Sequence, residues 1–225
     1  MAEERPPAPS QSEALQILAT EHWSLLATRA LIYQESFGRV NMFLAILSGA
    51  VIALALIAQA DRFGPTFMAV AIFMLAVVFF VGIATIRRLM MLNRDDYHMV
   101  VGMNRLRHGY FDLHPELEPY FMTSPFDDLP GALRTLGISA ETRQGLGTVF
   151  HGFVTLPGMV GVIVSSIGGA IGGLAATGFG APAYVAIVAG AVAFTATEVL
   201  IGIGGRRYFR HFGPSVEPRF PTPNS

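Results

Sequence analysis

The sequence predicts an all-α integral membrane protein. Four transmembrane helices form two hairpins, with an amphipathic N-terminal helix and a cytoplasmic helical extension. Three observations predict this. Four long apolar stretches run Val40–Ala60, Thr66–Ile86, Gly158–Thr177 and Ala183–Ile203, with Glu198 their single acid. Each has the roughly 20 residues that a helix rising 1.5 Å per residue needs to cross a bilayer. The arginines fall almost wholly on one side of these stretches, and each pair of stretches is joined by a short turn rich in Gly and Pro.

Composition agrees. The chain is 52% hydrophobic and 14% charged, against about 25% charged in soluble domains. No Asp, Glu or Arg occurs between Gln144 and Thr197. The formal net charge of −1 offers nucleic acid no electrostatic footprint. With no cysteine, disulfides and thiolate-bound metals are excluded. No cofactor is implied. All fifteen basic residues are Arg, a skew that fits a GC-rich bacterial genome.

Taken in order, residues 1–11 are rich in Pro and Ser, lack the basic start of a signal peptide, and are expected to be disordered. The first span should then act as an uncleaved signal anchor. Residues 12–38 read as an amphipathic helix. Ser10 and Glu13 fit a capping box, and Leu15, Leu18, Trp23, Leu25, Leu26, Leu31 and Tyr33 recur at helical spacing. Such a helix suits the headgroup region, with Trp23 as interfacial anchor, or packing on the middle loop or on a second subunit. Gly38 is read as a hinge before the first hairpin, residues 39–86.

Residues 87–149 make a cytoplasmic helix and loop. The second span is expected to continue as a helix through Arg87–Arg107, with Met90, Met91, Met99, Val100, Val101 and Met103 as an apolar stripe. Such a stripe is either ordinary packing or an adaptable binding surface. Leu113–Pro130 reads as an irregular loop. Ser139–Gly147 is expected to begin a helix that leads into the third span with a kink at Pro157. The second hairpin occupies residues 150–205 and the cytoplasmic tail residues 206–225, of which Gly213–Ser225 is expected to be disordered.

Cytoplasmic loops carry the excess of basic residues. The N-terminal segment, the middle loop and the tail hold every arginine but Arg62, which Asp61 neutralises. Both termini and the middle loop are thus expected in the cytoplasm of a bacterial cell, with the spans in its plasma membrane. The outer turns are Asp61-Arg62-Phe63-Gly64-Pro65 and Gly178-Phe179-Gly180-Ala181-Pro182. Glycine suits the left-handed end of one helix, and proline the first turn of the next. Their likeness is either convergent turn chemistry or the trace of a duplicated hairpin.

The third span carries a small-residue stripe. Gly161, Ser165, Gly169, Gly173 and Thr177 fall every four residues, beside Gly168 and Gly172. This spacing lets two membrane helices approach until their backbones touch. The partner is either the fourth span or another subunit. A lesser version occurs at Ala45, Gly49 and Ala53. Glu198 is a candidate ion or proton site, since a carboxylate within a membrane is costly. It lies about 8 Å from the cytoplasmic end of its span, so snorkelling or pairing with Arg206 or Arg207 is the alternative. His108, Asp112, His114 and Glu116 have metal-ligand chemistry but no recognisable ligand spacing, and read as solvated surface. No metal site is assigned. No nucleophile elbow, phosphate loop or His-Glu-x-x-His sequence is present, so no catalytic residue is assigned.

The run Glu21-His22-Trp23-Ser24-Leu25-Leu26-Ala27-Thr28-Arg29 through Leu47-Ser48-Gly49-Ala50, and later Gly102-Met103-Asn104-Arg105-Leu106-Arg107-His108, resemble uncharacterised multi-pass membrane proteins of actinobacterial type. The order of amphipathic helix, tight two-span hairpin and cytoplasmic helix resembles the SLATT type of two-span membrane effector. That resemblance covers the first half of the chain and implies a pore-forming assembly.

The expected function is that of a non-enzymatic, oligomeric membrane protein. Its cytoplasmic helices sense or bind an unidentified partner, and its spans assemble as a scaffold or pore in the lipid bilayer. The alternative is a small transporter, or transporter subunit, that uses Glu198 for ion or proton coupling.

Overall fold

Every regular element is helical in the computed structural model, which describes residues 10–138, 155–212 and 216–223. The elements are α1 (Gln11–Asp61), α2 (Pro65–Leu113), a 3-10 helix (Pro115–Tyr120), α3 (Leu129–Thr135), α4 (Leu156–Gly178) and α5 (Ala183–Phe212). Helices α1, α2, α4 and α5 are each long and apolar enough to cross a membrane.

Local chemistry explains where the helices start and stop. Ser10 and Glu13 form the expected capping box: the Ser10 N–H donates to Glu13 Oε2 at 2.7 Å, and the Glu13 N–H donates to Ser10 Oγ at 3.3 Å. Helix α1 then runs for 51 residues, passing through Gly38 without a break. One glycine costs a helix only about 1 kcal/mol, too little to end a long one. Between α1 and α2 the left-handed residues are Arg62 and Phe63, at φ 47° and 62°, and not the glycine. Gly64 serves a different purpose. A Cβ there would stand 2.9 Å from both the backbone carbonyl and a carboxylate oxygen of Asp61. That space lets the Asp61 carboxylate accept the Phe67 N–H at 2.6 Å, so the last residue of α1 caps α2.

Helix α4 ends differently. Gly180, at φ 79°, is left-handed. The Ala181 N–H donates to the Ala176 carbonyl and the Gly180 N–H to the Thr177 carbonyl, which is the glycine-terminated Schellman arrangement. At its other end Thr155 Oγ accepts the Gly158 N–H. Pro157 lies in the first turn, where its missing N–H costs nothing; the kink expected there is a helix start. The helix expected over Ser139–Gly147 lies outside the described residues.

The described chain divides into two compact units, with α1 and α2 contributing to both. The first comprises residues 10–33, 94–138 and 216–223. Here α1 and α2 run in opposite directions. Gln11 Nε2 donates to the Leu113 carbonyl, Leu18 packs at Gly109, Leu25 at Gly102, and Arg29 pairs with Asp96 at 2.6 Å. Val100, Val101, Met103 and Ala132 form its core, with Leu25, Tyr97, Leu136 and Val216 packed around them. The C-terminal half of the methionine–valine stripe is thus interior packing. Trp23 is 71% exposed.

Segment 216–223 is ordered against the rest of this unit, contrary to the disorder expected from its composition. Asp127 accepts the N–H groups of Arg219 and Phe220 at 2.9 and 2.8 Å. Asp128 accepts the N–H and hydroxyl of Thr222 at 2.8 and 2.7 Å. Arg105 binds both Asp127 and the Glu217 carbonyl. Phe220 stacks on His108, with ring centroids 3.9 Å apart.

The second unit comprises residues 34–93 and 155–212. Its core joins Phe43 and Ala50 of α1, Leu75, Val78, Ile86 and Leu89 of α2, and Val160, Val164 and Ile167 of α4. Apolar side chains also cover its outside: Phe73, Phe80, Ile187 and Leu200 are each about 70% exposed. At one end, Glu35 receives both Arg88 and Arg39 at 2.8 Å.

Candidate functional site

Helices α4 and α5 pack closely along the small-residue stripe. A Cβ on Gly161 would lie 3.7 Å from Ile201, and one on Gly169 would lie 3.0 Å from the Gly190 carbonyl oxygen. One on Gly172 would lie 2.7 Å from the Ala193 Cβ, and one on Gly173 would lie 3.3 Å from the Ala186 carbonyl oxygen. Partners on α5 shift from Ile201 to Ala186 as the α4 position rises from 161 to 173, so the two helices are antiparallel. Thr177, at the end of the stripe, donates its hydroxyl to the Gly173 carbonyl of its own helix. Gly168 faces Thr197 and Phe79. The stripe on α1 is placed otherwise: nothing approaches within 4 Å of a Cβ on Gly49.

The stripe and the carboxylate of Glu198 meet at one point. Ser165, fully buried, donates its hydroxyl to Glu198 Oε2 at 2.6 Å. Glu198 Oε1 lies 4.0 Å from the place a Cβ would take on Gly161. The partner of Glu198 is thus a hydroxyl of the facing helix. The small residue at 161 leaves room for the carboxylate, and the hydroxyl at 165 solvates it. Such a short charge-assisted bond is stronger than a neutral one. It can hold a carboxylate in place, and it can also pass a proton if water or an ion reaches the free oxygen.

A groove of about 620 Å³ opens beside this contact between α2 and α5. Phe79, Ile83, Ile86, Leu200 and Ile201 give it apolar walls, Met90 and Met91 continue them, and Arg87 and Arg207, both exposed, also line it. Gly204 also lines it, with nothing within 4 Å of a Cβ placed there. Sequence reasoning singled out Met90 and Met91 as a stripe and counted Arg87 and Arg207 among the arginines of one side, but it brought neither pair to this groove. They come from two helices more than a hundred positions apart.

The first unit carries a polar network. Asn104, fully buried, donates to the Phe126 carbonyl and accepts from Arg107 at 2.6 Å and from the Thr135 hydroxyl at 3.0 Å. Burial, with Arg29 nearby, lowers the Arg107 pKa from its ordinary value. Burial also pushes the carboxyls of Asp127 and Asp128 upward. The N–H donors of the tail outweigh it in both, helped by Arg105 at Asp127 and by the Thr222 hydroxyl at Asp128, so both lie below the usual carboxylate range. His108, Asp112, His114 and Glu116 do not converge. His114 pairs with Glu116 at 2.9 Å, while His108 stacks on Phe220.

No protein-family model, curated protein sequence or solved structure matches this chain.

Proposed function

We propose that this chain is a non-enzymatic, multi-pass protein of the bacterial plasma membrane that works as a homo-oligomer. The four apolar helices cross the bilayer as two hairpins with both termini in the cytoplasm, and the first unit is a cytoplasmic module that binds a partner. One observation carries this reading. The second unit turns apolar side chains outward, with Phe73, Phe80, Ile187 and Leu200 each about 70% exposed, and the ion pairs described in it gather on Glu35 at one end, whereas the ion pairs and buried polar side chains of Arg29, Asp96, Asn104, Arg105, Arg107 and Asp127 belong to the first. Lipid is the solvent that such an outer face needs. Orientation rests on the arginine distribution. Assembly into a scaffold or pore rests on the small-residue stripe Ala45, Gly49 and Ala53, of which Ala45 and Gly49 are exposed, because the α4 stripe is occupied by α5.

The test is single-cysteine labelling in intact cells. Gln59 and Phe179 are exposed near the outer turns, and Asn93 and Arg134 are exposed in the middle segment. Gln59→Cys and Phe179→Cys should react with an impermeant thiol reagent added outside, and Asn93→Cys and Arg134→Cys should not. Reaction at Asn93 or Arg134 refutes the orientation.

A second reading is favoured by the Ser165–Glu198 hydrogen bond, a polar pair inside a helix contact of the proposed spans. In that reading Glu198 couples ion or proton movement in a small transporter.

A further inference from the structure

The groove between α2 and α5 has the shape and charge of a lipid site. Along α2 it runs from Phe79 to Met91, about 18 Å at 1.5 Å per residue. One leaflet of a bilayer's hydrocarbon core is about 15 Å deep. Along α5 it runs from Thr197 to Tyr208, a similar length. One end is walled by Phe79, Ile83, Leu200 and Ile201, while Arg87 and Arg207 both lie toward the other, with Met90 and Met91. An apolar end and a cationic end thus follow one another along the helices, as do the chain and phosphate of a phospholipid. The volume of about 620 Å³ falls within the roughly 300–1,000 Å³ of small-ligand clefts. Met90 and Met91 supply flexible walls that adapt to a mobile chain. A second copy docking here by two-fold symmetry would bring the arginines of both copies together and be repelled.

We propose that this groove holds one anionic phospholipid of the cytoplasmic leaflet, its acyl chain along Phe79–Ile83 and its phosphate between Arg87 and Arg207. The proposal rests on the membrane reading above. Basic pockets between spans on the cytoplasmic side suit anionic head groups, because the guanidinium pairs with phosphate where the surrounding medium is only partly aqueous. Gly204 keeps the groove open between its two walls.

The experiment uses the full-length protein, purified in mild detergent and mixed with phosphatidylglycerol or phosphatidylcholine of the same chains. Native mass spectrometry counts the lipid retained. The wild type should retain phosphatidylglycerol at least tenfold better than phosphatidylcholine. Arg87→Gln and Arg207→Gln should each weaken phosphatidylglycerol retention about fivefold, leave phosphatidylcholine unchanged, and be rescued by Arg→Lys. Gly204→Leu, whose Cβ meets nothing within 4 Å and whose side chain would occupy groove space, should reduce both lipids. Equal retention of the two lipids by the wild type, or unchanged retention in both glutamine variants, overturns the proposal. So does displacement of the lipid by millimolar inorganic phosphate, which would mark a site for a free anion. Release of the protein from membranes by alkaline carbonate would instead overturn the membrane reading itself, and is scored separately.

Discussion

Alanine at Gly169 and alanine at Gly202 should have opposite effects, and the difference isolates backbone contact between α4 and α5. Both glycines lie in helices, so each substitution gains up to about 1 kcal/mol of helix propensity. Their surroundings differ. At Gly202 nothing lies within 4 Å of the new Cβ. At Gly169 it would meet the Gly190 carbonyl oxygen at 3.0 Å and the Phe194 Cβ at 3.2 Å. Neither neighbour is the loose end of a side chain, so α5 must retreat as a body by a few tenths of an ångström. That movement also disturbs the neighbouring contacts of Gly172 with Ala193 and of Ser165 with Glu198. Overpacking of this kind costs about 1–3 kcal/mol. Gly202→Ala should therefore be neutral or stabilising by up to about 1 kcal/mol, while Gly169→Ala should fall about 1–3 kcal/mol below it. Reversible unfolding in mixed micelles, followed by helix content as denaturing detergent is raised, measures both. Equal shifts in the two variants would mean that α5 yields freely and that close backbone approach does not hold this pair together.

Other consequences follow from the carboxylates. Asp127→Ala should cost the first unit about 2–3 kcal/mol, the range for hydrogen bonds to a charged group, and should speed tryptic cleavage after Arg219; a tail cut no faster than in the wild type would contradict the docking. Asp127 and Asp128 both lie below their ordinary carboxylate value in the native chain. The native state therefore resists protonation more than the unfolded state. Their contribution is complete above the ordinary aspartate pKa of about 3.9 and lost as pH falls through the lower native values. Tail docking followed against pH by the amide NMR signals of Arg219, Phe220 and Thr222 should hold near neutrality and be lost only in that acid range. The guanidinium of Arg88, and then that of Arg39, holds the Glu35 carboxyl at about 2, so a further loss between about pH 4.3 and that value is expected, and Glu35→Gln should abolish it. Glu198→Gln should eliminate any pH-dependent flux in reconstituted vesicles while preserving the fold; flux equal to wild type would dismiss the coupling role.

The features legible in the sequence were those with local causes. Apolar runs of bilayer length mark α1, α2, α4 and α5, because helix length and burial depend on contiguous residues. The capping box at Ser10 and Glu13 was legible for the same reason, as was the left-handed end at Gly180. The first outer turn was not. Arg62 and Phe63 adopt left-handed angles that their side chains disfavour, and the glycine beside them is needed for the Asp61 carboxylate instead. Tail docking was hidden because its partners, Asp127 and Asp128, are more than ninety positions away. Composition reports how little apolar surface a segment can bury, and says nothing of remote carboxylates that take up its backbone donors. Charge reasoning offered Glu198 an Arg206 or Arg207 of a neighbouring helix, yet the structure gives it Ser165 of the facing one.

The prolines of the tail acquire a meaning from the way it is held. In Pro218-Arg219-Phe220-Pro221-Thr222-Pro223 the prolines occupy the positions whose N–H is not used, and the residues at 219, 220 and 222 each donate one to Asp127 or Asp128. Much of the recognition is therefore of a main-chain pattern, in which a proline is a silent position and any other residue supplies a donor. Descendants of this chain can exchange the side chain at 219 with little effect, since Asp127 takes only its N–H. A proline at 219, 220 or 222 removes a donor that nothing can replace. Drift at 219 should look free by residue type, that at 220 and 222 is held further by the Phe220 ring and the Thr222 hydroxyl, and at all three proline is excluded.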